Sequence, residues 1–242
     1  MDNQNIMIQM QNIGFSYPQR PVLKNINFKL YKGQKMGLIG PNGSGKSTFL
    51  HLIMGLVKPD SGTLWLFNQA VASEKAFQEA RKRIGLVFQN ADDQLFSPTV
   101  LEDICFGPLN QGKTPEQARD KSLHLLETLD LKGFENRITY KLSGGEKRLV
   151  ALATVLVMEP EILLLDEPFT GLDKSTLERI LDILNHLNIS YIIVSHEFDS
   201  LAKTTTDICT MDKGVIVYNG KSDILHSHFH KHPGGKALHH HH

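Results

Sequence analysis

Residues Gly40 to Thr48 read GPNGSGKST, and Gly40, Gly45, Lys46 and Ser47 complete the spacing G-x-x-x-x-G-K-[ST]. These residue types at this spacing suit a phosphate. Glycines let backbone N–H groups close around its oxygens, Lys46 brings a point charge to terminal phosphates, and the Ser47 hydroxyl is a ligand for Mg2+. The run before it, KMGLIG, reads as a buried strand, and the run after it, KSTFLHLIMGL, as a helix ended by Gly55 and Pro59. Such a helix aims its N-terminus at the anion.

Three more stretches end in polar residues that buried strands would carry to one place. EILLLDEP, 161–168, is an apolar run closing in Asp166 and Glu167, in the manner of a Walker B strand. Burial of Ile162 to Leu165 pushes Asp166 to the strand's carboxyl end, where it can hold Mg2+ through water. Glu167 is then placed as general base on an attacking water. SYIIVSHEF sets His196 at another strand exit, where an imidazole N–H can reach a γ-phosphate. LVFQN does the same for Gln89, whose amide can ligate Mg2+ or orient water without neutralising the site.

KLSGGEKRLV, 141–150, raises a different question. Ser143 and Glu146 form S-x-x-E, a capping box before an apolar helix. The same helix start, with Gly144 and Gly145 laid bare, is also an anion site. One chain thus carries two phosphate signatures, although one nucleotide needs one cradle.

The surrounding elements follow from periodicity. IMIQMQNIGFSY and VLKNINFKLYKGQ read as short strands joined by a Pro-containing turn, and SGTLWLFN and RIGLVFQ as further strands. From Asn90 to Pro160 the pattern becomes helical throughout. Thr114, Pro115 and Gln117 mark a helix start in TPEQARDKSLHLLETLDL, with Ala118, Leu125, Leu126 and Leu129 at helical spacing. TLERILDILNHL is an amphipathic helix with Leu177, Ile180, Leu181, Leu184 and Leu187 on one side, and DICTMDKGVIVYNG closes as a strand pair. Strand–helix alternation bracketing a helical insert implies a parallel, doubly covered sheet. There is no internal repeat.

Composition excludes some classes. The 242 residues hold 26 Lys plus Arg and 26 Asp plus Glu, so the net charge is zero and gives no support for bulk nucleic-acid binding. Cys105 and Cys209 lie far apart and read as two small buried or half-buried residues rather than a disulfide. The N-terminus does not read as a signal peptide, and the longest apolar-rich run, Leu149 to Met158, falls far short of a membrane span. The expected place is the cytoplasm.

Taken in order, GPNGSGKST, Gln89, LSGGE, ILLLDEP, GLD and His196 make the sequence resemble the ATP-binding-cassette (ABC) ATPases over essentially all of Met7 to Leu225. The resemblance implies an α/β P-loop NTPase: a RecA-like, mostly parallel core sheet, an N-terminal antiparallel β subdomain and an inserted helical signature subdomain. It implies ATP and Mg2+ as cofactors. Tyr17 would stack on adenine, and Gly40, Pro41, Asn42, Gly43, Ser44, Gly45, Lys46, Ser47 and Thr48 would form the phosphate loop. Ser143, Gly144, Gly145 and Glu146 would be the signature motif, with Glu146 where glutamine is commonest, and Asp173 the D-loop residue. Lys46, Gln89, Glu167 and His196 would serve catalysis, and Ser47, Gln89 and Asp166 the metal. In this family two copies pack head to tail, so the signature of one closes over the nucleotide of the other.

A narrower resemblance lies in QNADDQLFSPTVLEDICFGPLNQG, Gln89 to Gly112, which is similar to the Q-loop region of energy-coupling-factor importers of vitamins, cobalt and nickel. In that subgroup the segment after Gln89 faces a transmembrane coupling protein, and the ATPase sits peripherally on the cytoplasmic face. The expected organisation is an ATPase domain over 1–225, with the core and β subdomain at about 6–89 and 159–220 and the helical subdomain at about 90–158. A His-rich tail over 226–242 follows. There His226, His228, His230 and His232 alternate and could bind Ni2+ or Co2+ loosely, while His239 to His242 read as a tag remnant. This tilts the substrate toward nickel or cobalt. A vitamin importer, a soluble cassette acting on DNA or ribosomes, and a binding module without turnover are the alternatives, and the working pair is two identical copies or this chain with a sister ATPase.

Overall fold

A computed structural model describes residues 5–222; the histidine run beyond them lies outside the described residues. Two sheets organise the chain. The first is antiparallel, in the order β2-β1-β4-β5, built from β1 (Ile6–Tyr17), β2 (Arg20–Tyr31), β4 (Ser61–Leu66) and β5 (Gln69–Ala70). The second has six strands in the order β10-β9-β3-β8-β7-β6: β3 (Lys35–Ile39), β6 (Ile84–Val87), β7 (Ile162–Asp166), β8 (Ser190–Val194), β9 (Asp207–Asp212) and β10 (Val215–Lys221). The neighbours from β9 through β3, β8 and β7 to β6 run parallel, and only β10 pairs antiparallel, with β9. The expected α/β class holds, with a mostly parallel core sheet and an antiparallel companion.

Alternation explains why the core strands read as unbroken apolar runs. Ile162 and Leu164 of β7 and Ile192 and Val194 of β8 face one core, shared with Met36, Leu38 and the antiparallel sheet. Leu163, Leu165, Tyr191 and Ile193 face the other, shared with the helices inserted after β6. A strand covered on both sides has no polar face to show.

Among the described residues, α-helices complete the fold: α1 (Lys46–Ile53), α2 (Glu74–Arg81), α3 (Val100–Asn110), α4 (Pro115–Thr128), α5 (Gly144–Leu156), α6 (Lys174–His186) and α7 (Phe198–Thr204). Both expected capping boxes form, Thr114 with Gln117 and Ser143 with Glu146, and a third, Thr99 with Glu102, starts α3.

Two expectations need correction, and two helices went unread. β1 covers the expected stretch residue for residue and β2 begins at Arg20 instead of Val22, but at 12 residues each they are longer than the short strands expected, and register shifts interrupt their pairing. Helices α2 and α7 carry too few apolar positions to be legible. The segment between β6 and β7 is not helical throughout. Between α4 and α5 only Thr139–Lys141 forms a 3-10 turn, and the rest is loop broken by positive φ at Asp130 and Gly133. That loop is tied to the start of α3, where Val100 and Leu101 N–H donate to the Arg137 and Glu135 carbonyls at 3.1 and 3.0 Å. Both cysteines are free, Cys209 buried and Cys105 half-buried. Among the described residues no helix is long and apolar enough to cross a membrane.

Candidate nucleotide site

The topology gathers the chemistry at one edge. Because β3, β8, β7 and β6 are parallel neighbours, their carboxyl ends open on the same side of the sheet. There β3 delivers Gly40 to Thr48, β7 delivers Asp166 and Glu167, β8 delivers His196, and β6 delivers Gln89. A cavity of about 400 Å3 at this edge is lined by Tyr17, Asn42, Gly43, Gly45, Lys46, Ser47, Thr48, Gln89, Asp166 and Glu167 of the expected set, together with Arg20, Val22 and Val194.

The phosphate loop is shaped by residues that tolerate little else. Gly40 (φ 149°) has no room for a side chain, since a Cβ would run into the Met211 carbonyl oxygen. Gly45 (φ 112°) occupies the N-cap of α1, and no side chain caps that helix. Its first amides are thus available to an anion. Ser44 Oγ is buried in the loop without a hydrogen-bond partner in the protein, and Ser44 does not line the cavity. Lys46 is buried, and its Nζ donates to the Gly40 and Pro41 carbonyls at 2.8 and 3.0 Å. Burial lowers its pKa, and the charges of Glu167 and Asp166 oppose that shift. These features fit a nucleotide phosphate chain.

Opposite the loop, Asp166 and Glu167 are both buried. Glu167 has a positive φ of 48°, uncommon for a residue with a Cβ and typical of functional positions. Its carboxylate accepts from Thr170 Oγ1 at 3.2 Å and from the His196 N–H at 3.3 Å, and His196 Nε2 lies 3.2 Å from Oε1 and 3.1 Å from Asn42 Oδ1. Both groups facing Nε2 are acceptors, which places a proton on that nitrogen. Ser47, Gln89 and Asp166 supply oxygen donors to the same cavity, the donor type that Mg2+ prefers. Among the described residues no group of three or more His, Cys, Asp or Glu is arranged to hold a metal ion by itself, so a hard cation here would need the nucleotide's own oxygens among its ligands.

Ser143, Gly144, Gly145 and Glu146 do not line this cavity. Ser143 and Gly144 are exposed, and a Cβ at Gly144 would meet nothing within 4 Å. Gly145 packs beside Asp173, which caps α6 through Ser175 and Thr176. Glu146 also pairs with Arg137 at 2.8 Å, which with the capping bond holds its carboxyl below the usual range.

The sequence reading missed Arg20 and Val22, which the β1–β2 turn folds against the phosphate loop. Their nearness to Tyr17 was the available signal. It also missed the lacing between α5 and the segment after β6. Arg148 Nη1 donates to the Phe88 and Gln89 carbonyls at 2.9 and 2.6 Å, and Gln94 bridges Phe88 N–H to the Ala151 carbonyl.

A second cleft, about 480 Å3, lies between α2 and the inserted helices. Phe96, Phe106, Phe88 and Met158 line it, with Asp103 at its wall. Phe96 and Phe106 are exposed and stack edge to face at 4.7 Å. Asp103 is buried; Oδ1 accepts from the Phe96 and Ser97 N–H groups, Oδ2 has no partner, and burial pushes its carboxyl pKa up.

Comparison with known proteins agrees with this layout. The family profile named ABC transporter matches residues 23–170. A Nitratidesulfovibrio vulgaris protein, carried under the provisional name ABC transporter ATP-binding protein, is 47% identical over 98% of this chain and 87% of its own length. The energy-coupling factor transporter ATP-binding protein EcfA of Methanothermobacter thermautotrophicus is 41% identical, covering 88% of this chain and 70% of its own. Among solved structures, CbiO1 from Clostridium perfringens, part of the transporter complex CbiONQ, superposes with a TM-score of 0.82 at 30% identity, over 92% of this chain and 91% of that one. A dimeric post-hydrolysis cassette bound to ADP and phosphate gives 0.81 at 28% identity, over 88% of this chain and 98% of that one.

Proposed function

The chain belongs to the ABC transporter family and is an ATP-hydrolysing subunit coupled to transport, and from that premise we propose that it energises an energy-coupling-factor importer, with a transition metal ion, nickel or cobalt, as the transported substrate. The observation that carries the cassette mechanism is the split between the two phosphate signatures. One lines the cavity with Lys46 and Glu167, and the other stands exposed away from it. A second copy, identical or a sister ATPase, brings its own Ser143 and Gly144 amides to this copy's terminal phosphate.

In that arrangement Tyr17 stacks on the adenine, the phosphate loop holds the phosphate chain, and Lys46 leaves the Gly40 and Pro41 carbonyls for the β- and γ-oxygens. Ser47, Gln89 and Asp166 would hold Mg2+, which would supply charge neutralisation at the phosphate oxygens. Glu167 takes the proton from a water aligned behind the γ-phosphorus, and His196 Nε2–H donates to the γ-phosphate. Asp173 lies beside the signature at the copy–copy contact. Residues at about 90–158 serve as the helical unit, and those at about 6–89 and 159–220 as the core with its β subdomain.

The cleft walled by Phe96, Phe106 and Asp103 supports a docking role for the segment after Gln89. Its exposed aromatics suit a helix of a transmembrane coupling protein. Asp103, buried at the wall of the cleft, accepts from the Phe96 and Ser97 N–H groups and so holds the base of the aromatic pair in place. Such docking would hold the chain at the cytoplasmic face of a membrane. CbiONQ in the name of a structural neighbour and EcfA in that of a relative favour this class over a soluble cassette. Nickel and cobalt rest on the alternating histidines alone, and a vitamin importer fits the cassette equally. The test is detergent purification of the tagged chain with its neighbours in the cell, then uptake of labelled nickel, cobalt and vitamins into vesicles carrying the complex. Recovery with an integral membrane protein and ATP-dependent metal uptake are expected. Recovery with nucleic acid or ribosomes contradicts the transport role, and vitamin uptake alone contradicts the metal.

A further inference from the structure

Arg148 sits on the first turns of α5, five residues after Ser143, half-buried behind the site. Among the described residues it makes no ion pair. Its guanidinium is directed at two main-chain carbonyls, Phe88 at 2.9 Å and Gln89 at 2.6 Å. Two neighbouring contacts bind the same segment to the same helix. Lys147 Nζ reaches Asp92 at 2.5 Å, and the Gln94 side chain accepts from Phe88 N–H at 3.1 Å while donating to the Ala151 carbonyl at 2.7 Å and Thr154 Oγ1 at 2.9 Å. Residues 88–94 are therefore laced along one side of α5, whose N-terminus is the exposed signature. Burial depresses the pKa of Arg148 while the charge of Asp166 opposes the shift, which places this cation within electrostatic reach of the nucleotide site.

We propose that Arg148 is a positioning residue. It fixes the Gln89 backbone to the signature helix, so that the end of β6, which faces this copy's own nucleotide, and Ser143–Gly145, which face the other copy's nucleotide, move as one piece. A guanidinium suits the task because the two N–H bonds of its planar Nη1 have fixed directions and each meets one carbonyl, which an ammonium does with less directionality. The inference rests on the head-to-tail pairing proposed above. Its consequence is a division of labour: Arg148 touches no nucleotide, so its loss leaves ATP binding to one copy intact and weakens the pairing that ATP drives.

The test uses the full chain in the Glu167→Gln background, so that bound ATP persists, with sedimentation to measure dimerisation and a fluorescent ATP analogue to measure affinity at dilutions where the protein is monomeric. Adding Arg148→Ala is expected to raise the protein concentration for half-dimerisation about ten-fold, the size of a coupled-contact loss, while affinity in the monomer stays within about two-fold. Arg148→Lys, which keeps one cationic donor, is expected to show about a three-fold shift and carries the test if the alanine variant does not fold. Unchanged dimerisation in both variants overturns the inference, as does a loss of monomer affinity as large as the loss of dimerisation. A Glu167→Gln protein that stays monomeric at saturating ATP overturns the pairing itself and this inference with it.

Discussion

Glu167 and His196 face each other across the ends of two neighbouring parallel strands, with Oε1 of the first 3.2 Å from Nε2 of the second. The contact is a product of register: Asp166 pairs with Val194, so the residues that follow each emerge side by side. The carboxylate and the imidazole, for which roles in hydrolysis are proposed above, are thereby held one and two residues beyond the ends of paired strands. Replacing Glu167 with Gln keeps the shape and removes the base. ATP should still bind, and the single-turnover hydrolysis rate should fall about 10²- to 10⁴-fold.

Gly144 and Gly145 are adjacent but not equivalent. A Cβ at Gly144 meets open space, whereas one at Gly145 would lie 2.7 Å from Thr176 Oγ1 and 3.3 Å from Asp173 Oδ2. Gly144→Trp should fold normally and bind ATP within about two-fold of the parent, while hydrolysis falls by about 10² through exclusion of the second nucleotide from the helix start. Gly145→Ala should lower the melting temperature as well, because the neighbours must shift. Calorimetry beside a phosphate-release assay separates the two.

Tyr17 and Arg20 come from one turn and line the same cavity. Tyr17→Ala should weaken ATP binding about ten-fold through lost stacking, and affect GTP similarly, since stacking tolerates any base. Arg20→Ala should weaken ATP more than adenosine, because its charge acts on phosphates. Titration calorimetry with the three ligands tests both.

Asp173 caps α6, and the Thr176 hydroxyl and N–H, with Ser175, hold its carboxyl pKa down to about 2 from 3.8. A depressed pKa stabilises the fold above the ordinary value and loses that contribution as pH falls through the folded one. The melting temperatures of the parent and Asp173→Asn should therefore differ by a constant amount above pH 4 and converge between about pH 4 and 2. A gap that widens on acidification would contradict this role.

Asp103 offers a handle on docking that does not touch the nucleotide. Asp103→Asn keeps an acceptor for the Phe96 and Ser97 N–H groups but removes the charge from the wall of the aromatic cleft. Basal ATPase activity should persist, and recovery of the membrane partner in detergent pull-down should fall about ten-fold.

Much of this site was legible in the sequence because its parts are local. The phosphate loop, the Asp166–Glu167 strand end and the Ser143–Glu146 box each announce themselves within ten residues, and buried parallel strands then leave one edge on which they can meet. What stayed hidden depends on contacts between distant segments. Arg148 reads as one more basic residue on a helix until Phe88 and Gln89 are folded against it. Arg20 reads as a turn residue until the antiparallel sheet lays it on the phosphate loop. The loop at 129–143 misled for the opposite reason: its buried Leu131 and Leu142 mimic helical spacing, while Asp130 and Gly133 turn the backbone away.

An exposed signature that serves another copy's nucleotide requires two chains to pair when ATP is bound. Light scattering on the Glu167→Gln protein, with and without ATP and Mg2+, measures this directly. A mass near that of one 27.2 kDa chain without nucleotide, and a doubling when ATP is bound, are expected. A protein that binds ATP and keeps the mass of a single chain at every concentration tested would contradict that pairing.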